Sequence, residues 1–293
     1  MIKLDFDEKD LRSLRVFCSV ARAGGFSAAE SELLMSKASI SRHVREVEDR
    51  LGVRLCERGP AGFSLTPEGE VALRLATSAL RALEKIRPEI DAVHGVLSGA
   101  LSIGIGEHAA SHLDFKLPQA LALLQLRAPK VKPEIAVMTF TELDQALREN
   151  RVDIAIRGRY VEDDEFNYLP IYKETHRVYV SSLIKKQGST KLPLVFRQHP
   201  YVRQAIDIHG YKRGPAAGGL DAIGVFIATG NYQGLLPTHL GDRLKDLRIQ
   251  PDSPSFSHPI CAVTDPQHAF TYRASMFLKI LDELHGRIGV STT

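Results

Sequence analysis

A small and basic helix surface is the first feature of this sequence that suggests chemistry. Residues 37–51 (KASISRHVREVEDRL) carry apolar side chains at a spacing that predicts a helix with one buried stripe: Ile40, Val44, Val47 and Leu51. At about 100° per residue, the opposite face carries Ala38, Ser39, Ser41, Arg42 and Arg45. Small residues allow close approach, and arginine donates to phosphates or guanine edges. This face therefore suits a DNA major groove.

Two helix starts must position this surface. Ser27 and Glu30 have the spacing of a capping box, which predicts a short helix opening at Phe26. Ser36 then fits the N-cap of the basic helix after no more than a tight turn. Together these signals predict a helix-turn-helix.

A hairpin and a long helix are predicted next. Two short runs around residues 59–62 (GPAG) predict a β-hairpin, with Arg54 and Arg58 on its first arm. Residues 66–68 (TPE) predict the start of a long helix. A helix-turn-helix pattern by itself usually reflects two packed helices, but the added wing, caps and basic face favour a DNA-binding module.

The long helix carries an apolar seam spaced 4, 3, 4, 3, 4, 3: Ala72, Ala76, Ala79, Leu83, Ile86, Ile90 and Val93. This heptad spacing predicts a coiled-coil dimer. The alternative is an amphipathic helix packed on its own domain. Pro88 predicts a kink or split near Arg87, because proline cannot donate to the Glu84 carbonyl. Residues 95–99 then form a domain boundary.

From Ala100 onward, strand and helix patterns alternate. Apolar strands LSIGI, EIAVM and VDIAI are separated by helical segments, one of them interrupted early by Pro118, which predicts a parallel, doubly wound sheet. A second set follows residues 161–168, and a final helix is expected at about Gln267 to His285. We therefore expect two α/β lobes, joined by crossings near 161–168 and 263–267.

A ligand in such a fold binds beyond the carboxyl ends of the strands and against helix N-termini. The candidate binding residues at these places are Glu107, His108, Phe140, Thr141, Arg157, Arg203, Gly218, Gly219 and Thr264. Phe140 also has the character of a core residue, and each arginine that of a solvated surface charge. A metal site is not predicted, since His108 and His112 have helical spacing but no third ligand nearby.

Residues 11–70 resemble the N-terminal domain of LysR-type transcriptional regulators. The resemblance rests on FSAAE at 26–30, SKASISRHVREVEDRLGVRLCER at 36–58 and LTPEG at 65–69. It implies a winged helix-turn-helix at 1–65, a dimerising linker helix at 66–95, and a periplasmic-binding-protein-like effector domain at 96–293. In that domain, lobe I would span about 96–162 and 266–293, and lobe II about 163–265. The implied DNA-binding residues are Ser27, Ser36, Lys37, Ser39, Ser41, Arg42, Arg45 and Arg58.

The same resemblance implies the partners. They are double-stranded DNA with two-fold related half-sites, a small anionic effector between the lobes, a second or further copies of the chain, and RNA polymerase if the protein is an activator. Lys37 and Ala38 depart from the residues common in the family, so its base preference does not transfer. The alternative functions are a DNA-tethered enzyme, or a non-regulatory binding protein on the same two-lobe fold.

Composition agrees with a globular regulator that needs no cofactor. The chain has 293 residues, 44% hydrophobic and 25% charged, with a net charge of +3. Residues 1–95 hold 15 basic and 15 acidic side chains, so any basic footprint is local rather than general. No membrane span or signal peptide is expected. Three widely spaced cysteines, Cys18, Cys56 and Cys261, indicate reduced thiols in the cytoplasm.

Overall fold

Two units make up the chain in the computed structural model, which describes residues 7–59, 62–107, 109–162, 164–183, 192–268 and 270–286. The first unit is Met1–Ile90 with Glu149–Arg151, and the second is Asp91–Arg148 with Val152–Thr293. None of the helices in these described ranges has the length and apolar character needed to cross a membrane.

The first unit is a three-helix core followed by a hairpin and a long helix. Its elements are α1 (Glu8–Ala23), α2 (Phe26–Leu33), α3 (Lys37–Leu51), β1 (Cys56–Gly59), β2 (Gly62–Leu65) and α4 (Pro67–Val93). Asp7 and Asp10 form a capping box at α1. Ser36 caps α3, and the Thr66 hydroxyl accepts from the Gly69 amide at 2.9 Å to cap α4, as the sequence predicted.

The core of this unit is built where α1, α3 and α4 meet. Phe17 of α1 and Ile40 of α3 are fully buried, and Ala76 and Leu80 of α4 belong to the same apolar cluster. Each such large side chain contributes about 1.5–3 kcal/mol on burial. The predicted stripe of α3 is therefore confirmed, except that Leu51 in its last turn is 39% exposed.

One predicted cap is wrong. The N-cap of α2 is Gly25, without any side-chain hydrogen bond, and Ser27 lies inside the helix. The Glu30 carboxylate instead accepts from the Lys37 amide at 2.7 Å. Because the helix begins two residues earlier than a capping box at Ser27 requires, Glu30 is free to bind the start of α3.

The apolar seam of α4 is rotated from its predicted position. Ala76 is buried and Ala72 packs against the same core, so neither lies on an exposed seam. Val71 and Leu75 take their place at the exposed surface, and the exposed stripe continues through Ala79, Leu83, Ile86, Ile90 and Val93. The helix also runs unbroken through Pro88, because the loss of one N–H removes one bond and leaves the neighbouring turns intact.

The second unit contains one large sheet and flanking helices. Its elements are β3 (Ser98–Gly106), α5 (Leu117–Arg127), β4 (Lys130–Met138), α6 (Phe140–Arg148), β5 (Ile154–Gly158), β6 (Asn167–Ser181), β7 (Leu194–Phe196), α7 (Pro200–Asp207), β8 (Arg213–Ala216), α8 (Leu220–Ala228), β9 (Gly234–Pro237), α9 (Thr238–Gly241), β10 (Leu247–Ile249), β11 (Phe256–Thr264) and α10 (Tyr272–His285). The sheet order is β10-β6-β11-β5-β3-β4, with β9 also paired to β6. A separate parallel pair is formed by β7 and β8.

Helices cover both faces of the sheet in lobe I. Ile154 and Ile156 of β5 pack in one cluster with side chains of α5 and α10. Ala155, between them, packs in a second cluster with Leu143 and Leu147 of α6. Because successive side chains of a strand point to opposite faces, strands covered on both sides read as continuous apolar runs, as predicted here.

The parallel pairing predicted for the strands LSIGI, EIAVM and VDIAI is confirmed, but the sheet as a whole is mixed. Strands β4, β3 and β5 are parallel, but β11 pairs antiparallel with both β5 and β6. The chain passes into lobe II along β6 and returns along β11. Tyr172 and Ile260 still pack in the lobe I core, so the crossings lie inside these strands rather than at residues 161–168 and 263–267. Apolar runs carry no information on strand direction, so the antiparallel placement of β11 could not be predicted from them.

Candidate functional site

The exposed side of α3 carries most of the predicted DNA-binding residues. Arg42 and Arg45 are exposed, and Ser39 is partly exposed. Ser41 is buried, which corrects its assignment to this surface. It lies about 90° from the centre of the buried stripe, and packing of α3 in the three-helix core extends far enough to cover it.

A polar network anchors α3 to α1 beneath this surface. Nδ1 of the buried His43 lies 2.9 Å from the Ser13 hydroxyl and 3.1 Å from the Glu46 carboxylate. The Ser13 hydroxyl donates to that carboxylate at 2.8 Å and, as the main cause, lowers the pKa of Glu46. Glu46 also faces Arg42 at 3.7 Å. The network thus holds Glu46, and through it the exposed Arg42, in a fixed position relative to the helix core. This role was not predicted from the sequence.

The remaining predicted DNA-binding residues lie in two places. At the α2–α3 turn, the Lys37 ammonium donates to the Ser27 hydroxyl at 3.0 Å, next to the capping residue Ser36. The Arg58 backbone pairs with Phe63 in the β1–β2 wing, which confirms the hairpin. The Arg58 side chain lies outside the described residues.

A cavity opens between the two lobes of the second unit. It contains about 520 Å³ of space including its open mouth. Residues after the lobe I strands form one wall, among them Glu107, Phe140 and Arg157, whereas Arg197, His199 and Leu220 of lobe II form the other. Glu174 and His176 of the connecting strand β6 line it as well. Three of the residues predicted to bind a ligand therefore line one cavity.

Each arginine of this cavity is balanced by a carboxylate. Arg197 Nη2 lies 2.5 Å from Glu107 Oε2, so this ion pair joins the two lobes. Arg157 Nε lies 2.7 Å from Asp144 Oδ1, and its guanidinium stacks 5.1 Å from the centre of the Phe140 ring. An anionic ligand would have to compete with these carboxylates for the cations.

Several predicted ligand residues lie elsewhere. Arg203 on α7 and Thr141 on α6 are exposed and are not among the residues lining the cavity, since they occupy the outward faces of their helices. Thr264 is buried opposite Asn167 at the lobe I end of β11. Gly219 adjoins the cavity, because a Cβ there would lie 2.9 Å from Glu107 Oε1, but nothing lies close to a Cβ at Gly218. His108 lies outside the described residues.

Buried aromatic and histidine side chains complete the cavity wall, and the sequence analysis missed them. His199 Nδ1 accepts from the Tyr201 amide at 3.2 Å, so its Nε2 carries the proton and donates to the Tyr160 hydroxyl at 3.0 Å. Burial, followed by the nearby Arg197, lowers the pKa of His199 to about 3. This histidine is a neutral hydrogen-bonding group at physiological pH.

Glu174 lies among three further histidines. Its Oε2 is 3.7 Å from His176 Nε2 and 3.6 Å from His258 Nε2, and its Oε1 is 3.6 Å from His239 Nδ1. Burial raises the pKa of Glu174 to about 7, lowers the pKa of His258 to about 4, and lowers the pKa of His176 well below its usual value. The alternation Glu-Thr-His at 174–176 was the available sequence signal, because it places both side chains on one face of a strand.

Comparison with known proteins agrees with both units. Residues 11–70 match the family model of the bacterial regulatory helix-turn-helix proteins of the lysR family, and residues 94–285 match the LysR substrate binding domain. The HTH-type transcriptional activator BauR of Pseudomonas aeruginosa is 31% identical over 267 residues, covering 87% of this chain and 88% of BauR.

Solved structures show the same fold at lower identity. CbnR, a LysR family transcriptional regulator, has a TM-score of 0.65 at 18% identity, covering 94% of this chain and 99% of the other. CbnR is also known in complex with its target DNA, with a TM-score of 0.64 at 18% identity, covering 94% of this chain and 99% of that one. A full-length OxyR variant from Pseudomonas aeruginosa has a TM-score of 0.60 at 19% identity, covering 93% and 94% of the two chains.

We expect Gly158→Ala to destabilise the second unit. A Cβ there would lie 2.5 Å from the His258 ring and 2.6 Å from Tyr160 Cζ, so buried rings would have to move. The matched control is Gly106→Ala, whose Cβ would meet its nearest neighbour, the Ile156 carbonyl oxygen, at 3.8 Å. Differential scanning calorimetry should show a loss of about 1–3 kcal/mol for the first variant and under about 0.5 kcal/mol for the second. Equal losses would mean that the rings are not confined as described.

Proposed function

Since this chain belongs to the LysR family of regulators, we propose that a small anionic molecule, bound between the lobes of the second unit, controls how the first unit acts on DNA. The observation that carries the proposal is the interlobe cavity, with Glu107 paired to Arg197 across it. The site lies beyond the carboxyl ends of parallel strands, where open α/β sheets bind ligands.

The DNA contacts are proposed for α3 and the wing. Arg42, Arg45 and Ser39 form the accessible face of a helix held by buried residues, which is the arrangement that a recognition helix requires. Ser36 and Lys37 at the α2–α3 turn, and Ser27 in the first turn of α2 beside Lys37, are proposed to contact the DNA backbone. Arg58, from the wing, is proposed to contact phosphates beside the groove.

Removal of one exposed arginine tests this surface. Arg45→Ala should weaken binding to the operator and reduce the slope of log affinity against log salt by about one unit, because one phosphate contact is lost. Arg15→Ala removes the same charge from an exposed position on α1 and is the matched control. Fluorescence anisotropy over a salt series measures both; an unchanged slope in Arg45→Ala would place the DNA on another surface.

The effector is proposed to act on the pair that joins the lobes. A ligand carboxylate that binds Arg197 would displace Glu107, which belongs to the opposite lobe. The two lobe arrangements would then differ in their affinity for the ligand, and such a difference is what couples binding to a change of shape. Arg157 is held by Asp144 and by stacking on Phe140, so we do not propose that it exchanges its partner for the ligand.

Two arginines of lobe II provide a matched test of the effector site. Metabolites that raise the melting temperature of the full chain should lose most of that effect in Arg197→Gln, because this arginine lines the cavity. They should keep it in Arg203→Gln, because Arg203 is exposed on α7. Each shift is measured against the ligand-free melting temperature of the same variant. A response lost only in Arg203→Gln would place the effector outside the cavity.

We also propose that α4 pairs with α4 of a second copy, in a dimer or in a tetramer built from two such dimers. The support is its exposed apolar stripe, from Val71 and Leu75 to Ile90 and Val93, which a solitary helix would leave in water. A symmetric dimer would place two α3 helices on an operator with two-fold related half-sites.

A charge in the stripe should dissociate this dimer. Leu83→Glu would place unpaired carboxylates in the contact, at a cost of several kcal/mol. Glu84→Lys also changes an exposed position of α4, but outside the stripe, and should leave the assembly intact. Analytical ultracentrifugation distinguishes them; if Leu83→Glu sediments like the unmodified protein, the copies associate through another surface.

Two further expectations follow from the family. The similar protein BauR is named a transcriptional activator. If this chain also activates transcription, we propose that RNA polymerase is its second macromolecular partner. We propose that the chain acts in the cytoplasm, with the DNA. The alternative of a DNA-tethered enzyme is distinguished by turnover of the ligand. An enzyme converts the molecule that stabilises it, whereas a regulator releases that molecule unchanged.

A further inference from the structure

Strand pairing gathers one carboxylate and two imidazoles at the crossing between the lobes. In the antiparallel register of β6 and β11, His258 lies directly opposite Glu174, and Phe256 lies opposite His176. Directly opposed residues project to the same face with Cβ atoms about 4.5–5.5 Å apart. Because Glu174 and His176 are two residues apart, all three side chains share this face.

The three side chains are buried and incompletely hydrogen-bonded. Glu174, His176 and His258 are 7%, 5% and 3% exposed. Among the described residues, neither ring nitrogen of His258 has a hydrogen-bond partner, and Nδ1 of His176 has none. Buried polar atoms are usually satisfied, so the Nε2 atom of His258, which faces Glu174, is available to a further partner.

We propose that Glu174, His176 and His258 bind a divalent transition-metal ion. One donor atom from each residue lies within 4.8 Å of the other two, and the carboxylate-to-imidazole distances are 3.6 and 3.7 Å. Ligand atoms about 2.0–2.1 Å from a tetrahedral zinc are about 3.3–3.4 Å apart. Small side-chain rotations therefore suffice to close the site around an ion.

The donor set defines the class of ion. Two imidazoles and one carboxylate favour Zn²⁺ or a neighbouring first-row divalent ion over Ca²⁺ or Mg²⁺, which take oxygen ligands. Glu174 and His176 line the interlobe cavity, so the coordination positions that remain open face that cavity. His239 Nδ1 faces the second carboxylate oxygen at 3.6 Å, where it can orient Glu174 as an outer-shell group.

Neighbouring charges do not oppose the ion strongly. The two arginines that line the cavity are each paired with a carboxylate, Arg197 with Glu107 at 2.5 Å and Arg157 with Asp144 at 2.7 Å. An ion here would tie β6 to β11 where the chain crosses between the lobes. This goes beyond the proposed effector function, because metal binding can be measured without DNA and without an effector.

The test is titration of the full chain, stripped with EDTA, with zinc chloride by calorimetry. We expect one strong site per chain and a rise in the melting temperature of the second unit. Glu174→Gln keeps the shape of the side chain and should lower zinc affinity at least ten-fold, as should His258→Gln. His209→Gln removes an exposed histidine and is the matched control for surface binding.

The result that overturns the proposal is unchanged zinc binding in Glu174→Gln, or a site lost in His209→Gln instead. X-ray absorption of the cobalt-loaded unmodified protein gives an answer even if a buried variant fails to fold. Two imidazoles with oxygen ligands support the site, and a shell without imidazole contradicts it.

Discussion

The antiparallel pairing of β6 with β11 is the constraint on which the second unit depends. These two strands carry the chain into lobe II and back, so both lobes share one hydrogen-bonded sheet. Their register places Glu174 opposite His258 and brings the cavity walls together at the crossing. Relative motion of the lobes must then be taken up within two strands, where a register irregularity at Ile260/Cys261 already interrupts the ladder. A ligand bound beside this crossing would lie where a small displacement of the strands affects both lobes.

Charge balance between the lobes is what would let the cavity respond to the proposed effector. A partly buried ion pair gains little on its own, but removal of one partner leaves a charge whose desolvation costs about 3–5 kcal/mol. Arg197 therefore requires an anion, and Glu107 supplies it from the opposite lobe. A ligand anion can replace Glu107 at much smaller cost than leaving the arginine unpaired. Arg157 lacks this exchange, because Asp144 reaches it from the neighbouring helix α6 of the same lobe. Arg157 is thus a structural cation, whereas Arg197 is a cation whose anionic partner can be exchanged.

Local features of the fold followed from the sequence, and non-local ones did not. The cap at Ser36 and the spacing of Ile40, Val44 and Val47 are contained within α3, so its bounds were predicted correctly. The burial of Ser41 depends on how the helices of the first unit pack, which no helical period encodes. Arg203 was predicted to face the cleft, and only the direction of α7 shows that it points outward. Arg197, which lines the cavity, was not recognised from the sequence. The Glu174–His258 contact joins residues 84 positions apart, through a strand direction that alternation leaves open.

Hydrogen exchange of the full chain tests the central claim most directly, with and without a compound shown to raise its melting temperature. Binding in the interlobe cavity predicts slower exchange in segments of both lobes and of the connecting strand, namely residues 105–107, 156–160, 174–176, 195–199 and 219–221. The outer face of α7 around Arg203 should exchange as before. Protection confined to one lobe, or to the helices of the first unit, would contradict the account, because the ligand would then bind without joining the walls that β6 and β11 bring together.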